Sequence, residues 1–266
     1  MEEFLLIEGR SFRFTKAISR TPAKSVTGGL RDGDGPNPDA ALFVQQHETY
    51  VQALRDAGAD LTLLPALEPF PDSVFVEDTS ICLTDAAIIL RPGAASRFGE
   101  AEHIRPTLAG IFPKVIDLPD EGFVDGGDVL LSDTHAFIGL SERTDLVGLN
   151  ALANCLADFN YTPVQVNTPP DILHFKTECG LLDASTIFAT AKLASLDCFD
   201  GLSVLIVPEG EEGAANIVRY NEVVFLSKGY PKSEALLRQN DYNVVVLDTS
   251  EAAKVDGGLS CMSLRF

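Results

Sequence analysis

Basic residues are scarce in this chain of 266 residues: Lys and Arg number 20 against 39 Asp and Glu, a net charge of −19. An acidic surface of this kind repels phosphate backbones and anionic headgroups, which argues against nucleic acid or a membrane surface as partner. Long apolar runs are also missing, and no stretch approaches the roughly 20 residues needed to cross a bilayer. The opening Met1-Glu2-Glu3-Phe4-Leu5-Leu6-Ile7 lacks the basic flank and the length of a secretory signal. Cysteine is confined to positions 82, 155, 179, 198 and 261, an odd number with no C-x-x-C pair. That pattern suggests neither a disulfide framework nor a closed zinc site, and these absences together predict a protein of the reducing cytoplasm.

What the sequence does contain is a recurring unit. Phe75-Val76-Glu77-Asp78, Phe123-Val124-Asp125-Gly126-Gly127-Asp128, His174-Phe175-Lys176-Thr177 and Ala214-Ala215-Asn216 each open a strand-like stretch that ends in a turn. The turns, at 85, 133, 183 and 221, are 48, 50 and 38 residues apart. A second apolar strand follows each one (86–90, 136–140, 186–189, 223–226), so the unit reads as a hairpin with Asp or Asn at its tip. Asp78, Asp125 and His174 stand seven, eight and nine residues before their tips, so closure of the repeats into a ring would bring these groups to one centre.

Between hairpins the period changes from two to 3.6, the mark of an intervening helix. Asn37-Pro38 predicts a helix start, with Val44, His47, Val51 and Leu54 on one face and Gly58 as its end. Leu146, Leu149, Ala153 and Leu156 predict a second helix, 98–112 one shortened or kinked at Pro106, and Pro231 introduces another over 233–239. Compact apolar strands then follow at 61–64, 115–118, 164–166, 204–207 and 244–247, which implies five units. Val255-Asp256-Gly257-Gly258-Leu259-Ser260-Cys261 echoes Val124-Asp125-Gly126-Gly127 and supplies the first strand of the fifth hairpin, so its mate must be 12–18 near the N-terminus. The expected architecture is α/β: a five-bladed pseudo-symmetric propeller of ββαβ units forming a single domain over residues 1–266, closed end to end so that no sheet edge is left exposed. The glycine-rich stretch 28–35 is expected as a mobile loop over the mouth of the ring.

Four cysteines have structural readings, Cys155 in a helix, Cys82 and Cys179 in strands and Cys198 in a connection. Cys261 differs because Asp256-Gly257-Gly258 precede it, and paired glycines let a backbone approach a ligand closely. A nucleophilic thiol needs an acid–base partner, itself oriented by a third group. Of four histidines, His47 falls on an apolar helix face and His103 and His135 in charged or turn sequence, whereas His174 occupies the position filled by Asp78 and Asp125 in other units. Asp125 is the natural orienting carboxylate, with Asp128 as fallback.

Taken together, Phe70-Pro71-Asp72-Ser73-Val74-Phe75-Val76-Glu77-Asp78, Leu90-Arg91-Pro92-Gly93-Ala94, Asp125-Gly126-Gly127-Asp128-Val129, Leu140-Ser141-Glu142-Arg143-Thr144, Leu173-His174-Phe175-Lys176-Thr177 and Lys254-Val255-Asp256-Gly257-Gly258-Leu259-Ser260-Cys261 resemble a dimethylarginine dimethylaminohydrolase. The likeness runs from about Leu30 to Phe266 with the motifs in order. The family belongs to the guanidino-group-modifying enzymes of the pentein superfamily, whose fold is a five-bladed α/β propeller. The resemblance implies Cys261 as nucleophile, His174 as general acid and base, and Asp125, a position where some members carry Glu, as its orienting acid. It implies further that Asp78, with Glu77 beside it, holds the guanidinium. Asp72 and the backbone of Leu30 would take the α-amino group, Arg91 and Arg143 the α-carboxylate, and Val255 would offer backbone contact near the reacting carbon.

On this reading the substrate is a methylated arginine, converted to citrulline and an alkylamine through a thiouronium on Cys261, with no cofactor. Zinc enters only as an inhibitor at the Cys261 and His174 pair, and a homodimer is the assembly allowed for. An arginine deiminase, an amidinotransferase or another guanidine hydrolase would use the same residues. A non-catalytic pentein binding protein, such as a ribosome anti-association factor, would share the ring but not the full set of reactive groups.

Overall fold

The computed structural model describes residues 9–119 and 122–266, so the expectation for Met1 to Ile7 lies outside the described residues. Five three-stranded sheets repeat one order: a short first strand, a central strand and a third strand. Ser80–Cys82 pairs antiparallel with Ala86–Ile89, which pairs parallel with Lys114–Asp117. Val129–Leu131, His135–Leu140 and Thr162–Asn167 do the same, as do Cys179–Leu181, Thr186–Ala189 and Ser203–Ile206, and Val218–Tyr220, Val223–Ser227 and Asn243–Leu247. The fifth sheet joins the two ends of the chain, with Ser263–Arg265 antiparallel to Lys16–Arg20 and the latter parallel to Asp60–Leu64. The expected pairing of the two ends therefore stands, although the N-terminal strand begins at Lys16 rather than Phe12.

The core explains why the central strands read as unbroken apolar runs. A strand sends alternate side chains to opposite faces, and here each face serves a different cluster. Ala136 and Ile138 pack with Ile81 and Ile88 of the preceding sheet, while Phe137 packs with Leu181 and Ile187 of the next. Phe188 joins Val224 and Leu226, Phe225 joins Ala17, and Ile18 joins Ala87 and Ile89. Five clusters thus link the five sheets in a cycle, the last to the first.

Helices run between the central and third strands, and two of their expected details change. The helix Ala40–Asp56 is capped by Asp39, whose carboxylate accepts from Ala41 and Leu42 N–H groups, and not by Asn37. Its buried face is Phe43, His47, Tyr50, Val51 and Leu54, with Val44 at the margin. Pro106 starts rather than breaks the helix Arg105–Ile111, since a first-turn residue needs no N–H donor. In Leu146–Ala157, Leu149, Leu152 and Leu156 are buried and Leu146 is exposed. None of the described helices is long and apolar enough to cross a membrane.

Candidate functional site

The segments expected to open each hairpin as strands are instead single turns of 3₁₀ helix. They are Val76–Thr79, Gly126–Asp128, Phe175–Thr177, Glu212–Ala215 and Ser260–Met262, each shortly ahead of its first strand. A 3₁₀ turn has three residues per revolution, so it abandons the alternation of a strand and can turn consecutive polar groups to one side. Asp78 and Cys261 lie within such turns, and Asp125 and His174 stand in extended backbone just before theirs, so the four groups gather although their strands lie in different sheets. The Val255 to Cys261 segment is likewise turn and 3₁₀ helix, with the strand beginning only at Ser263.

His174 and Asp125 form the firmest contact of the site. His174 Nε2 lies 2.9 Å from Asp125 Oδ2, with both residues buried. Gly93 N–H donates to the other Asp125 oxygen at 2.7 Å and Thr144 Oγ1 accepts from its N–H at 3.1 Å, so the carboxylate is fixed on both sides. Burial alone would lower the His174 pKa, but Asp78, Asp128 and the bond to Asp125 outweigh it and raise it to about 9. At neutral pH the ring is an imidazolium, with a proton ready to give. Asp128 takes up structural contacts instead, accepting from Phe175 N–H, Ser141 and Thr144 hydroxyls. Gly127 is required for this convergence, because a Cβ there would sit 2.7 Å from His174 Nδ1 and 3.0 Å from Asp78 Oδ1.

Asp78 forms the opposite wall. Its Oδ2 accepts from Arg97 Nη1 at 2.5 Å and its Oδ1 from Gly127 N–H at 2.8 Å. Burial would push this carboxyl up, yet Arg97 and His174 hold it below the usual range. Glu77 is brought to the same wall, but its oxygens accept from Lys176 at 2.7 Å, Arg265 at 2.9 Å and the Ser260 hydroxyl at 2.9 Å. Asp72 is buried, and its carboxyl is raised by burial. Asp72 accepts from Leu30 N–H at 2.9 Å, which ties the loop at 28–35 to it. The same loop is tied farther along, where Asp32 N–H donates to Asp256 at 2.7 Å. Val255 is buried, and a Cβ on Gly29 would lie 3.2 Å from its Cγ1 and 2.8 Å from Asp72 Oδ1, so the Leu30 segment, Asp72 and Val255 form one corner.

The two expected carboxylate-binding arginines have different partners. Arg143 Nη1 is 3.9 Å from Asp125 Oδ2 and its charge acts on Asp72, which keeps it at the site. Arg91 donates to the Gly122 carbonyl at 2.8 Å. A guanidinium that sequence reading missed, Arg97, stands beside Asp78 and Asp72 and is taken up by buried ion pairs with Asp78 and Glu100. Arg97 is buried, also bonded to Glu100 and the Phe75 carbonyl, and folded inward by the turn Ala95–Arg97. A buried acid–base–acid set of this kind was signalled only by Ala94-Ala95-Ser96-Arg97, where small residues permit a tight turn.

Cys261 stands in the turn Ser260–Met262. Gly258 N–H approaches its Sγ at 3.4 Å and Ser260 Oγ lies 4.0 Å from it. Burial, with Glu77 and Asp78 adding to it, pushes the thiol up to about 12, while Gly258 N–H and Lys176 pull the other way. Asp78 is therefore the charge that Cys261 and His174 share. Asn216, the polar group of the fourth unit, holds the nucleophile segment in place: its amide donates to the Lys176 carbonyl at 2.9 Å and to Ser260 Oγ at 3.0 Å, and its oxygen accepts from Ser260 N–H at 3.0 Å. Among the described residues, Asp78, Asp125 and His174 offer ligand atoms within 4.8 Å of one another, so the tightest cluster of metal-binding types does not contain Cys261. Arg97 and Gly93 already donate to its carboxylates, which suits a hydrogen-bonded network better than a cation site.

A cyclic five-unit α/β fold that gathers a half-buried cysteine, an imidazolium–carboxylate pair and facing acids is that of a hydrolase. Residues 38–181 match the model of the eukaryotic N,N-dimethylarginine dimethylhydrolase family. Across 254 residues the chain is 39% identical to an N(G),N(G)-dimethylarginine dimethylaminohydrolase of Pseudomonas aeruginosa, covering 95% of this chain and 100% of the relative. A solved structure of the Pseudomonas aeruginosa enzyme, a mutant in complex with citrulline, superposes with a TM-score of 0.93 over 96% of this chain and 100% of that one. The N-terminal domain of a cyanobacterial arginine dihydrolase, at 17% identity, shares the fold with a TM-score of 0.83 over 94% of this chain and 96% of that one. The chain belongs to the dimethylarginine dimethylaminohydrolase family.

Proposed function

We propose that the protein hydrolyses Nω,Nω-dimethyl-L-arginine and Nω-monomethyl-L-arginine to L-citrulline, releasing dimethylamine or methylamine. The observation that carries this reading is Asp78, a buried carboxylate held ionised between the Cys261 thiol and the His174 imidazolium. That place calls for a cation. A guanidinium bound there would set its carbon against Cys261, with Glu77 adding negative charge behind. Asp72 and the backbone of Leu30 would take the α-amino group, Arg91 and Arg143 the α-carboxylate, and Val255 would line the reacting end.

A guanidinium carbon is a poor electrophile, and covalent catalysis divides its displacement into two easier steps. Thiolate Cys261 adds to that carbon to form the C–S bond. The C–N bond to the alkylamine breaks as His174 gives its proton to the leaving nitrogen, and a thiouronium remains. The now neutral His174 takes a proton from water, whose oxygen adds to the same carbon; the C–S bond breaks, the added hydroxyl gives its proton to solvent as the urea carbonyl forms, and the thiolate returns with citrulline. Asp125 keeps the ring aligned through both transfers. No cofactor is called for, and zinc competing for Cys261 and His174 would inhibit.

The thiol at about 12 is almost wholly protonated at neutral pH. A cation about 4 Å away, at an effective dielectric of about 20, favours the thiolate by roughly 4 kcal/mol, or about three pKa units. Desolvation of the pair makes that an upper bound, but it would bring the thiol close to His174, so substrate would help ionise its own nucleophile. We further read the five cyclic units as the blades of an α/β propeller forming one catalytic domain in the cytoplasm, with a homodimer as the allowed assembly.

The test is release of citrulline and amine from asymmetric dimethylarginine, monomethylarginine and arginine, beside Cys261→Ser. Turnover of the methylated substrates with amine release, abolished in the variant, is the expected result. Turnover of arginine alone would make the protein a deiminase, and activity surviving in Cys261→Ser would overturn the covalent route.

A further inference from the structure

A cavity of about 480 Å³ opens among the short first strands, lined by Glu77, Lys176 and Ser260 but by none of Cys261, His174, Asp78 or Asp125. Its size falls in the range of about 300–1,000 Å³ that holds small molecules. Its charge runs against the rest of the chain. Among the described residues, Arg10, Arg13, Lys16, Lys176, Arg219 and Arg265 line it, against Glu77 as the one acidic side chain, in a protein with 39 acidic and 20 basic residues. Arg10 is stacked 3.9 Å over Tyr161, and Arg219 stands 5.7 Å from the rings of both Phe12 and Tyr242, so both guanidiniums are held in place. Arg13 and Lys16 are exposed, and among the described residues neither is ion-paired. The walls between are apolar, with Ile81, Leu130, Ile217 and Leu264 among them.

We propose that this cavity is a second ligand site, selective for a small amphipathic monoanion: a monocarboxylate whose apolar body lies against Ile81, Leu130 and Ile217 while its charge meets Arg13 and Lys16. Cation-rich lining in an acidic protein selects for negative charge, and apolar walls select against inorganic phosphate or a short diacid, whose polar groups would be stripped of water without partners. The occupant would share Lys176 and Glu77 with the surroundings of Cys261 while touching none of Cys261, His174, Asp125 and Asp78.

Octanoate and octanol serve as probes, titrated calorimetrically into the full chain. Two variants with equal charge change are compared: Arg13→Gln with Lys16→Gln in the cavity, and Arg55→Gln with Lys228→Gln on exposed surface elsewhere. All four side chains are exposed, so the melting temperature should stay at the wild-type value. One octanoate per chain is expected, at least tenfold weaker in the cavity variant and unchanged in the surface variant, with octanol at least tenfold weaker than octanoate. Octanol binding as well as octanoate, both variants weakening alike, or no octanoate bound would each overturn the proposal. Because heat and not turnover is read, the result is independent of the reaction proposed above.

Discussion

The two sides of Glu77 carry opposite chemistry. Toward Cys261 the wall gathers Asp72, Asp78, Asp125 and Asp128, all buried, with Arg97 and Arg143 as cations near them. Toward the cavity the same partition is lined by six cations. A net charge of −19 therefore describes neither region; charge has been sorted along the molecule, with the ion-paired Glu77, Lys176 and Arg265 at the boundary. The difference teaches what the acidic side costs and gains. Burial, with the carboxylates adding to it, suppresses the thiolate of Cys261, while the carboxylates protonate His174; on the proposed mechanism the resting site then has its general acid charged and its nucleophile masked until a cation arrives.

The largest expected effect comes from uncoupling the pair on the acidic side. Asp125→Asn keeps the size of the side chain but removes the charge that orients and sustains the imidazolium, so kcat/KM should fall by about 10²–10⁴-fold, the usual worth of positioned acid–base catalysis. The pH profile should also shift, with His174 titrating below about 9. A variant that keeps wild-type activity and profile would show that Asp125 only fills space.

Next in size is a contrast between two histidines. His47, buried on the helix Ala40–Asp56, has no acid beside it; burial alone lowers it to about 4. Ser19 Oγ donates its one hydrogen to the Met262 carbonyl and lies 2.8 Å from His47 Nε2, so that nitrogen must be protonated in a neutral ring. His174 is raised to about 9 by the surrounding carboxylates acting against burial. Each departs from the unfolded value of about 6.5, by an amount worth about 3 kcal/mol at full titration. The signs are opposite. The His174 contribution is complete below pH about 6.5 and is lost as pH rises through about 9, whereas the His47 contribution is complete above about 6.5 and is lost as pH falls through about 4. Urea unfolding across pH should show both limbs, His174→Asn flattening the alkaline one and His47→Gln the acid one. Equal slopes in both variants would refute the assignment.

The sorting of these residues was only partly visible in sequence. Alternating and 3.6-residue periods located the central strands, the third strands and the longer helices, because burial on both strand faces leaves an unbroken apolar run such as Ala86 to Leu90. His174 and Asp125 were legible from their place in the repeat, and the separation of His47 from them from its helix face. The 3₁₀ turns were not: Val76 and Phe175 are as apolar as strand residues, and only the contacts of the next unit decide that the chain turns there. Arg97 escaped for a related reason, since its partners Asp78 and the Phe75 carbonyl lie 19 and 22 residues earlier in the chain. Asn216 also looked inert, because its role lies entirely in hydrogen bonds to Ser260 and Lys176, far away in sequence.

Asp78→Asn separates two roles of the acidic wall. Losing a charged contact to a guanidinium costs about 1.5–3 kcal/mol, so KM for a methylarginine should rise roughly ten- to hundredfold. The same substitution removes one of the charges that hold the thiol up, so in the absence of substrate Cys261 should ionise at lower pH than in the wild type, read from ultraviolet thiolate absorbance. Weakened binding with an unchanged thiol titration would mean that Asp78 acts on substrate alone.

The smallest effect is expected at the boundary. Lys176→Met leaves Glu77 with Arg265 at 2.9 Å and Ser260 at 2.9 Å, so the buried carboxylate is not orphaned and the fold should survive. What is lost is a positive charge that lowers the Cys261 pKa. The thiol should therefore titrate higher still, and kcat/KM should fall less than about tenfold, the worth of about one pKa unit, since Lys176 acts on the thiol less than burial, Glu77 or Asp78 do. Asp78→Asn and Lys176→Met thus move the same thiol in opposite directions by charge alone, and a double variant should restore a titration near that of the wild type. If the two shifts shared a sign, the thiol would be governed by packing around Ser260–Met262 and not by the charges on either side of Glu77.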